Sequence, residues 1–284
     1  MLGQLAQPKH SVMVAKAHFI SGLPRSGSTL LSALLKQNPR FHAAVTSPMA
    51  RFFVVAMNQM SGASEYAVFF SDKRRQAILK GIFEGYYVGL PPDVIVFDTN
   101  RTWTARTSLL GALYPDSRVI CCVRDIGWII DSIERQLRKN PLQFSRLFDY
   151  KPGASVYART EMLMNAEAGL IGLPLSSMRE AWFSEEAKRL IVIDYDRLAS
   201  EPEAVLMRLY QELGEPWFNH DFDHLSHDES DYDDLLGMPG MHKVRAKVGL
   251  DKRQPSIPPD LFGKYSKLSF WKNPEANVRR VLVL

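Results

Sequence analysis

A segment near the N-terminus, HFISGLPRSGSTLLSALL, places an apolar run, a glycine-rich turn and an apolar helical pattern in direct succession. Gly22 and Gly27 have the spacing of the two glycines in the phosphate-binding loop G-x4-G-K-[ST], and Thr29 occupies its last position. The lysine position of that loop holds Ser28 instead, and the nearest strong cation is Arg25. The segment therefore predicts a strand, a phosphate-binding turn and a helix, and it disfavours hydrolysis of a nucleoside triphosphate.

The rest of the chain repeats this alternation of strand and helix. Short apolar runs followed by polar residues predict buried strands at residues 18–20, 94–97, 119–123 and 190–193. Helical patterns are found at residues 28–36, 73–87, 104–113, 126–138 and 202–213. The alternation predicts an α/β fold in which a P-loop-like parallel sheet is flanked by helices, with helical and loop insertions. Ligands of such sheets bind beyond the carboxyl ends of the strands, where the glycine-rich turn lies.

Composition narrows the class of ligand and the compartment. The formal net charge of +4 suits an anionic ligand but is too small to indicate a nucleic-acid-binding protein. The sequence contains no apolar run of about 18 residues, so no membrane span is expected. It also shows no secretory signal pattern. The adjacent Cys121 and Cys122 would point to opposite faces of a strand, which predicts buried reduced thiols and a cytoplasmic protein.

A second candidate anion site lies in the segment VICCVRDIGWIIDS, another strand that leads into a helix. Arg124 follows the strand, and Ser132 stands eight residues further on. Taken alone, Arg124 is better explained by a surface ion pair with Asp125 or Asp131. Together with the glycine-rich turn, it predicts two anion sites at one edge of the sheet. Such a pair suits a nucleotide with phosphates at both ends, a 3′,5′-bisphosphate.

These segments together resemble the sulfotransferases that use 3′-phosphoadenosine 5′-phosphosulfate, the donor. GLPRSGSTLL resembles the family's 5′-phosphosulfate loop, and CCVRDIGWIIDS resembles its 3′-phosphate motif. VIDYDRLASEP resembles the Y-E-D-L stretch of the same family. The three segments occur in family order, each in its expected strand–helix context. The arginine in the first loop is most similar to the tyrosylprotein and bacterial branches.

The resemblance implies a set of donor-binding residues. In the first loop, the 5′-phosphate would be held by the backbone and hydroxyls of Ser26, Gly27, Ser28 and Thr29. The Arg25 guanidinium would lie beside them. Arg124 and Ser132 would hold the 3′-phosphate, and Tyr195 would lie against the adenine. A late basic loop, MHKVRAKVGL, would cover the 3′-phosphate with Lys243, Arg245 and Lys247.

The implied chemistry is in-line transfer of a sulfonyl group, which requires charge stabilisation and a base. Arg25 would stabilise the leaving phosphate and the sulfonyl group, and Arg101 would follow the moving sulfonate oxygens. No metal ion is expected. The glutamate that tyrosylprotein sulfotransferases carry after their first helix is absent from the segment FHAAVTSPMARF, which places a tyrosine acceptor in question.

Three residues are candidates for the missing base. His42 follows the first helix, although a histidine in this position is also typical of a surface loop. Asp98 lies at the carboxyl end of a strand, where it would act as a base or hold Arg101 in an ion pair. Glu65 is the third candidate.

The expected organisation is a single sulfotransferase-like domain over residues 1–284. Its donor-binding core spans about 17–140 and 189–213, and acceptor-side insertions lie at about 41–90, 141–188 and 219–260. The expected acceptor is a hydroxyl group of a peptide tyrosine, a sugar or a small molecule, and a homodimer is an open alternative to a monomer. Competing functions are a P-loop kinase and a non-catalytic nucleotide-binding protein. His220, His224 and His227 offer a weaker case for metal.

Overall fold

The computed structural model describes residues 14, 16–62, 64–139, 155–226, 233–234 and 242–284. Six strands form one parallel sheet in the order β2-β3-β1-β4-β5-β6. The strands are β1 Lys16–Gly22, β2 Phe41–Ala43, β3 Ile95–Thr99, β4 Val119–Val123, β5 Leu190–Asp194 and β6 Leu282–Val283. The predicted α/β fold, a parallel sheet flanked by helices, is confirmed.

Helices cover both faces of the sheet. They are α1 Ser28–Leu35, α2 Met49–Met60, α3 Asp72–Tyr86, α4 Thr107–Leu113, α5 Ile126–Lys139, α6 Val156–Met164, α7 Gly172–Phe183, α8 Tyr195–Ser200, α9 Pro202–Leu213 and α10 Pro259–Ser266. One apolar layer packs α2, α3, α5, α7 and α10 against the sheet, and the other packs α1 and α9. Within the described residues, no helix has the length and apolar character needed to cross a membrane.

Strand β4 contributes side chains to both apolar layers. Val119, Cys121 and Val123 face the first layer, and Ile120 and Cys122 face the second, as the two-residue period of a strand requires. Both cysteines are fully buried and carry free thiols. Burial raises the pKa of both thiols, that of Cys122 to about 12, so neither is a reactive thiolate at neutral pH.

Several elements differ from the sequence-based expectation. Strand β2 was not predicted, because three residues are too few to give a periodic signal. Phe52 and Phe69 are 46% and 64% exposed, whereas Phe53 is fully buried. Neighbouring residues on a helix point about 100° apart, so Phe52 and Phe53 cannot share one face of α2. The C-terminal VRRVLVL supplies β6, which was not among the predicted strands.

We expect His18, a buried histidine on β1, to make stability fall at acid pH. His18 is 1% exposed, and its Nδ1 accepts a hydrogen bond from the backbone N–H of Arg118 at 3.1 Å. Its Nε2 has no hydrogen-bond partner among the described residues. Burial, assisted by the charges of Lys16 and Arg118, lowers the pKa of His18 from 6.5 to about 3. Between about pH 6.5 and pH 3, His18 is therefore protonated in the unfolded chain and neutral in the folded chain. The free energy of unfolding falls as the pH drops through this range.

The measurement is urea unfolding at pH 7 and pH 5 for the wild type and for His18→Asn. The Asn oxygen takes the place of Nδ1 and keeps the bond to Arg118, but it does not titrate. The free energy of unfolding of the wild type should fall by ~2 kcal/mol more than that of the variant over this interval. Equal losses in the two proteins would contradict the prediction.

Candidate functional site

A cavity of about 700 Å³ lies at the carboxyl ends of the central strands. Its walls are formed by residues that follow β1, β3, β4 and β5, by α5, and by the loop at residues 242–253. Most of the donor-binding residues singled out from the sequence line it, together with Arg101: Arg25, Gly27, Ser28, Thr29, Arg124, Ser132, Tyr195, Lys243, Arg245 and Lys247. The fold thus gathers into one place residues that span most of the chain.

The loop after β1 is held in shape by the carbonyl of Cys122. That oxygen accepts hydrogen bonds from the backbone N–H of Leu23 at 2.9 Å and from the hydroxyl of Ser26 at 2.8 Å. Ser26 is 1% exposed, and its hydroxyl also lies 2.5 Å from the Leu23 carbonyl. The Ser26 hydroxyl is therefore directed into the loop and does not line the cavity, and its predicted contact with the 5′-phosphate stays a prediction.

The N-terminus of α1 opens onto the cavity. Gly27 precedes the helix with φ of 92°, and a Cβ at this position would lie 2.7 Å from the ring of Tyr195. Within the described structure, neither a capping side chain nor an acidic residue neutralises the first turn. Ser28 and Thr29 begin the helix and line the cavity. The positive end of the helix dipole and these two hydroxyls therefore face the same space, as an anion site requires.

Arg25 connects the two anion sites that the sequence predicts. Its φ is 56°, a left-handed conformation that is uncommon for residues other than glycine. Its Nε donates a hydrogen bond to the Ser132 hydroxyl on α5 at 3.1 Å. Burial and then the charge of Arg124 lower the pKa of Arg25. Arg25 therefore reaches from the loop of the first site to Ser132 in the second.

Arg124 lies between an aromatic ring and a carboxylate. Its guanidinium carbon is 4.2 Å from the centroid of the Tyr195 ring, and its Nε is 3.9 Å from Oδ1 of Asp196. Nε is buried and has no hydrogen-bond partner in the described part of the chain. Burial lowers the pKa of Arg124, and the charge of Asp196 acts against this effect. A buried guanidinium N–H without an acceptor fits an anionic group of the donor.

The Tyr195 ring makes two contacts that the sequence did not predict. The ring packs against Gly27, in the loop after β1, and against Arg124, which follows β4. The ring therefore orients Arg124, which is a role that the motif comparison did not suggest. Its contact with adenine stays a prediction.

The loop at residues 242–256 is tied to α5 by Asp131, which sequence reasoning considered only as a partner of Arg124. Asp131 is fully buried and accepts hydrogen bonds from the Ser256 backbone at 2.5 Å, from the Arg135 Nε at 3.0 Å and from Arg253. Burial would raise the pKa of Asp131, but these hydrogen bonds and the Arg253 charge outweigh it and lower the pKa. Arg253 also stacks on Trp128, at 4.9 Å from the ring centroid, so it enters the cavity wall in a fixed position.

The predicted basic residues of this loop reach the cavity with different partners. Arg245 forms a two-pronged ion pair with Asp251. Lys247 pairs with Asp223 at 2.8 Å. Lys243 is exposed at the rim.

The turn after β3 and the segment after β2 also line the cavity. Asn100 donates from Nδ2 to the Ser47 carbonyl at 3.0 Å, which ties the two segments together. The Ser21 hydroxyl donates to the carbonyl of Arg101 at 3.0 Å, and this bond fixes the backbone from which the Arg101 side chain reaches the cavity. Thr46 and Ser47 stand beside it.

The structure keeps the three predicted bases out of the cavity lining. Asp98 is fully buried and accepts hydrogen bonds from the Tyr87 hydroxyl at 2.6 Å and from Trp103 Nε1 at 2.7 Å. Burial raises the pKa of Asp98. His42 lies on β2 with its ring against Tyr87, and Glu65 is exposed on a 3-10 turn. The Asp98 carboxylate is therefore directed towards Tyr87 and Trp103 and away from the cavity lining, and its role as a base stays a prediction.

The histidines considered for metal binding have separate partners. The Nε2 of His220 lies 3.0 Å from the Tyr210 hydroxyl, and the Nδ1 of His224 lies 2.9 Å from Oδ2 of Asp221. His227 lies outside the described residues. Over the described part of the chain, three or more ligating side chains do not come together.

Comparison with known proteins gives a family match. The model of the sulfotransferase family (Sulfotransfer_3) matches residues 18–219. Among solved structures, a sulfotransferase from Alicyclobacillus acidocaldarius is 15% identical with a TM-score of 0.49, over 78% of this chain and 90% of that one. The sulfotransferase domain from the curacin biosynthetic pathway is 17% identical with a TM-score of 0.48, over 94% and 95%. The curated proteins gave no significant match. Because the family model covers well over half of its length, the chain belongs to the sulfotransferase family.

Proposed function

We propose that this protein transfers a sulfonate group from 3′-phosphoadenosine 5′-phosphosulfate to a hydroxyl acceptor. The observation that carries the proposal is the Arg124 guanidinium, which lines the same cavity as the N-terminus of α1 and whose buried Nε has no hydrogen-bond partner among the described residues. The two features provide separate places for negative charge. A nucleotide with phosphates at its 3′ and 5′ positions satisfies both.

The residues divide between the two ends of the donor. The backbone of the loop after β1, with the hydroxyls of Ser28 and Thr29, would hold the 5′-phosphate, and Arg124 and Ser132 would hold the 3′-phosphate. Arg25, which contacts Ser132, would link the two. The donor supplies the activated sulfonyl group, and the chain's own contribution is position and positive charge.

The geometry disfavours the competing kinase function. A P-loop kinase requires a lysine in place of Ser28 and a carboxylate that faces the phosphates to bind Mg²⁺. Asp98 has the right place in sequence for that carboxylate. Its two oxygens are instead bound to Tyr87 and Trp103 in the core.

Ligand stabilisation tests the proposed donor. Adenosine 3′,5′-bisphosphate should raise the thermal unfolding midpoint without Mg²⁺, whereas ATP with Mg²⁺ should have little effect. Arg124→Ala should weaken binding of the bisphosphate by at least about 30-fold, because it leaves a buried phosphate without its charged partner. Stabilisation by Mg-ATP alone would overturn the proposal.

A matched control separates charge loss in the site from charge loss in general. Arg208 lies on α9 in an exposed ion pair with Glu212, with its side chain 50% accessible. Arg208→Ala should bind the bisphosphate as tightly as the wild type. The acceptor class is then found by transfer of radiolabelled sulfonate to a tyrosine peptide, a sugar and a small alcohol.

A further inference from the structure

His242 and Asp233 form a hydrogen-bonded pair at the cavity. The Nδ1 of His242 lies 2.5 Å from Oδ1 of Asp233, and the backbone N–H of His242 donates to Oδ2 of the same carboxylate at 2.8 Å. Asp233 is 2% exposed, whereas His242 lines the cavity. The carboxylate thus holds the imidazole from behind, through both its side chain and its backbone.

The imidazole of this pair lines the same cavity as Arg25, the residue that we assign to the reacting group. The negative charge of Asp233 acts on the Arg25 guanidinium and partly opposes the effect of burial on the pKa of Arg25. His242 therefore faces the cavity that Arg25 also lines, and Asp233 holds the imidazole from behind.

Among the described residues that line the cavity, the one histidine is His242 and the one carboxylate is that of Asp251. These are the two candidates for a proton acceptor. Asp251 is held by both nitrogens of the Arg245 fork. The hydrogen bonds from Arg245 lower the pKa of Asp251, which makes it a weaker base. His242 is paired instead with the carboxylate of Asp233, which contacts its Nδ1.

We propose that His242, oriented by Asp233, is the catalytic base of the transfer reaction. This inference rests on the proposed function. The Asp233 carboxylate stabilises the tautomer with its proton on Nδ1, so Nε2 is the basic nitrogen of the ring. As the acceptor oxygen bonds to sulfur, the bond between sulfur and the 5′-phosphate oxygen breaks. The acceptor hydroxyl proton passes to Nε2, and the bond electrons leave with adenosine 3′,5′-bisphosphate.

The first test replaces His242 with asparagine, whose amide nitrogen can still donate to Asp233. The single-turnover rate of sulfonate transfer should fall by about 10²–10⁴-fold. The dissociation constant for adenosine 3′,5′-bisphosphate should stay within about twofold of the wild-type value, since the base does not bind the donor. The probe acceptor is whichever of a tyrosine peptide, glucosamine or 2-naphthol the wild type turns over, and donor hydrolysis by water serves as an acceptor-free readout.

Three further variants make the result specific. His242→Ala should recover part of its rate when imidazole is added, because a free base can enter the space that the ring vacates. Asp233→Asn should lose part of the rate, because the amide no longer favours the Nδ1–H tautomer. His224→Asn is the matched control, because His224 pairs with Asp221 through its Nδ1 and backbone N–H but does not line the cavity. It should transfer at the wild-type rate.

The outcomes separate this inference from the function on which it rests. Wild-type transfer by His242→Asn, or loss of donor affinity without loss of the single-turnover rate, would overturn the role of His242 and leave the sulfotransferase function standing. Failure of the wild type to bind the bisphosphate, or to transfer sulfonate to any acceptor or to water, would instead overturn the proposed function.

Discussion

Replacing Gly22 with alanine is expected to destabilise the fold by about 3 kcal/mol or more and to abolish binding of adenosine 3′,5′-bisphosphate. A Cβ on Gly22 would lie 2.1 Å from the carbonyl oxygen of Cys122 and 2.6 Å from its nitrogen. Both contacts are with backbone atoms of the central strand β4, which cannot move aside as a side chain can. The φ of 113° at Gly22 adds a backbone cost.

The loss of binding follows from the same contact. The Cys122 carbonyl accepts the hydrogen bonds from Leu23 and Ser26 that hold the loop, so displacing this oxygen releases the loop that precedes α1. Gly89→Ala is the matched control, because Gly89 has φ of 92° but a Cβ there would meet no described atom within 4 Å. It should lose about 1–2 kcal/mol of unfolding free energy and retain its ligand affinity. Urea unfolding and calorimetric titration measure the two effects. The clash argument fails if the two variants behave alike.

The strand, loop and helix at the start of the sheet were predictable because their determinants are local. The glycine spacing of Gly22 and Gly27 dictates a turn, and the apolar runs on each side have the strand and helix periods. Arg124 and Ser132 were placed correctly at the cavity for the same reason, because one follows a strand and the other lies on the helix after it.

Asp98 shows where position along a strand was a poor guide. It lies near the carboxyl end of β3, as a ligand-facing residue should. However, side chains on a strand alternate between faces, and Asp98 is two residues after Val96, which packs in the layer of α2 and α3. The carboxylate therefore points among Tyr87 and Trp103 rather than out over the strand end. The side of the sheet on which Asp98 lies follows from the sequence once the side of Val96 is known.

Asp131 and the His242–Asp233 pair were not predictable in this way. Asp131 holds Arg253 and Ser256, which are more than 120 residues away in sequence. The segment that carries His242 has no helical or strand period that would place it. Such contacts are set by how a late loop folds back over α5, and a single sequence contains no local signal for that.

Replacing Arg25 with alanine is expected to lower the single-turnover rate of sulfonate transfer by about 10³-fold, in the role that we propose for this residue. At φ of 56° the backbone conformation costs alanine about as much free energy as it costs arginine. The difference in rate between the wild type and Arg25→Ala therefore reports on the side chain. Arg25→Lys keeps a positive charge but lacks the planar fork that reaches Ser132 while presenting other N–H groups to the cavity. It should recover only a small part of the rate.

The position of Arg25 between the two anion sites makes a second outcome informative. If Arg25 only binds the donor, Arg25→Ala should weaken bisphosphate binding as Arg124→Ala does, and the rate with bound donor should not change. Ser132→Ala removes the hydrogen bond to Nε and leaves the guanidinium charge in place, so it measures what that contact contributes to orientation. A large rate loss in Arg25→Ala with a small one in Ser132→Ala would assign the effect to charge. Comparable losses in both would assign it to the fixed direction of the guanidinium, which the Ser132 contact provides.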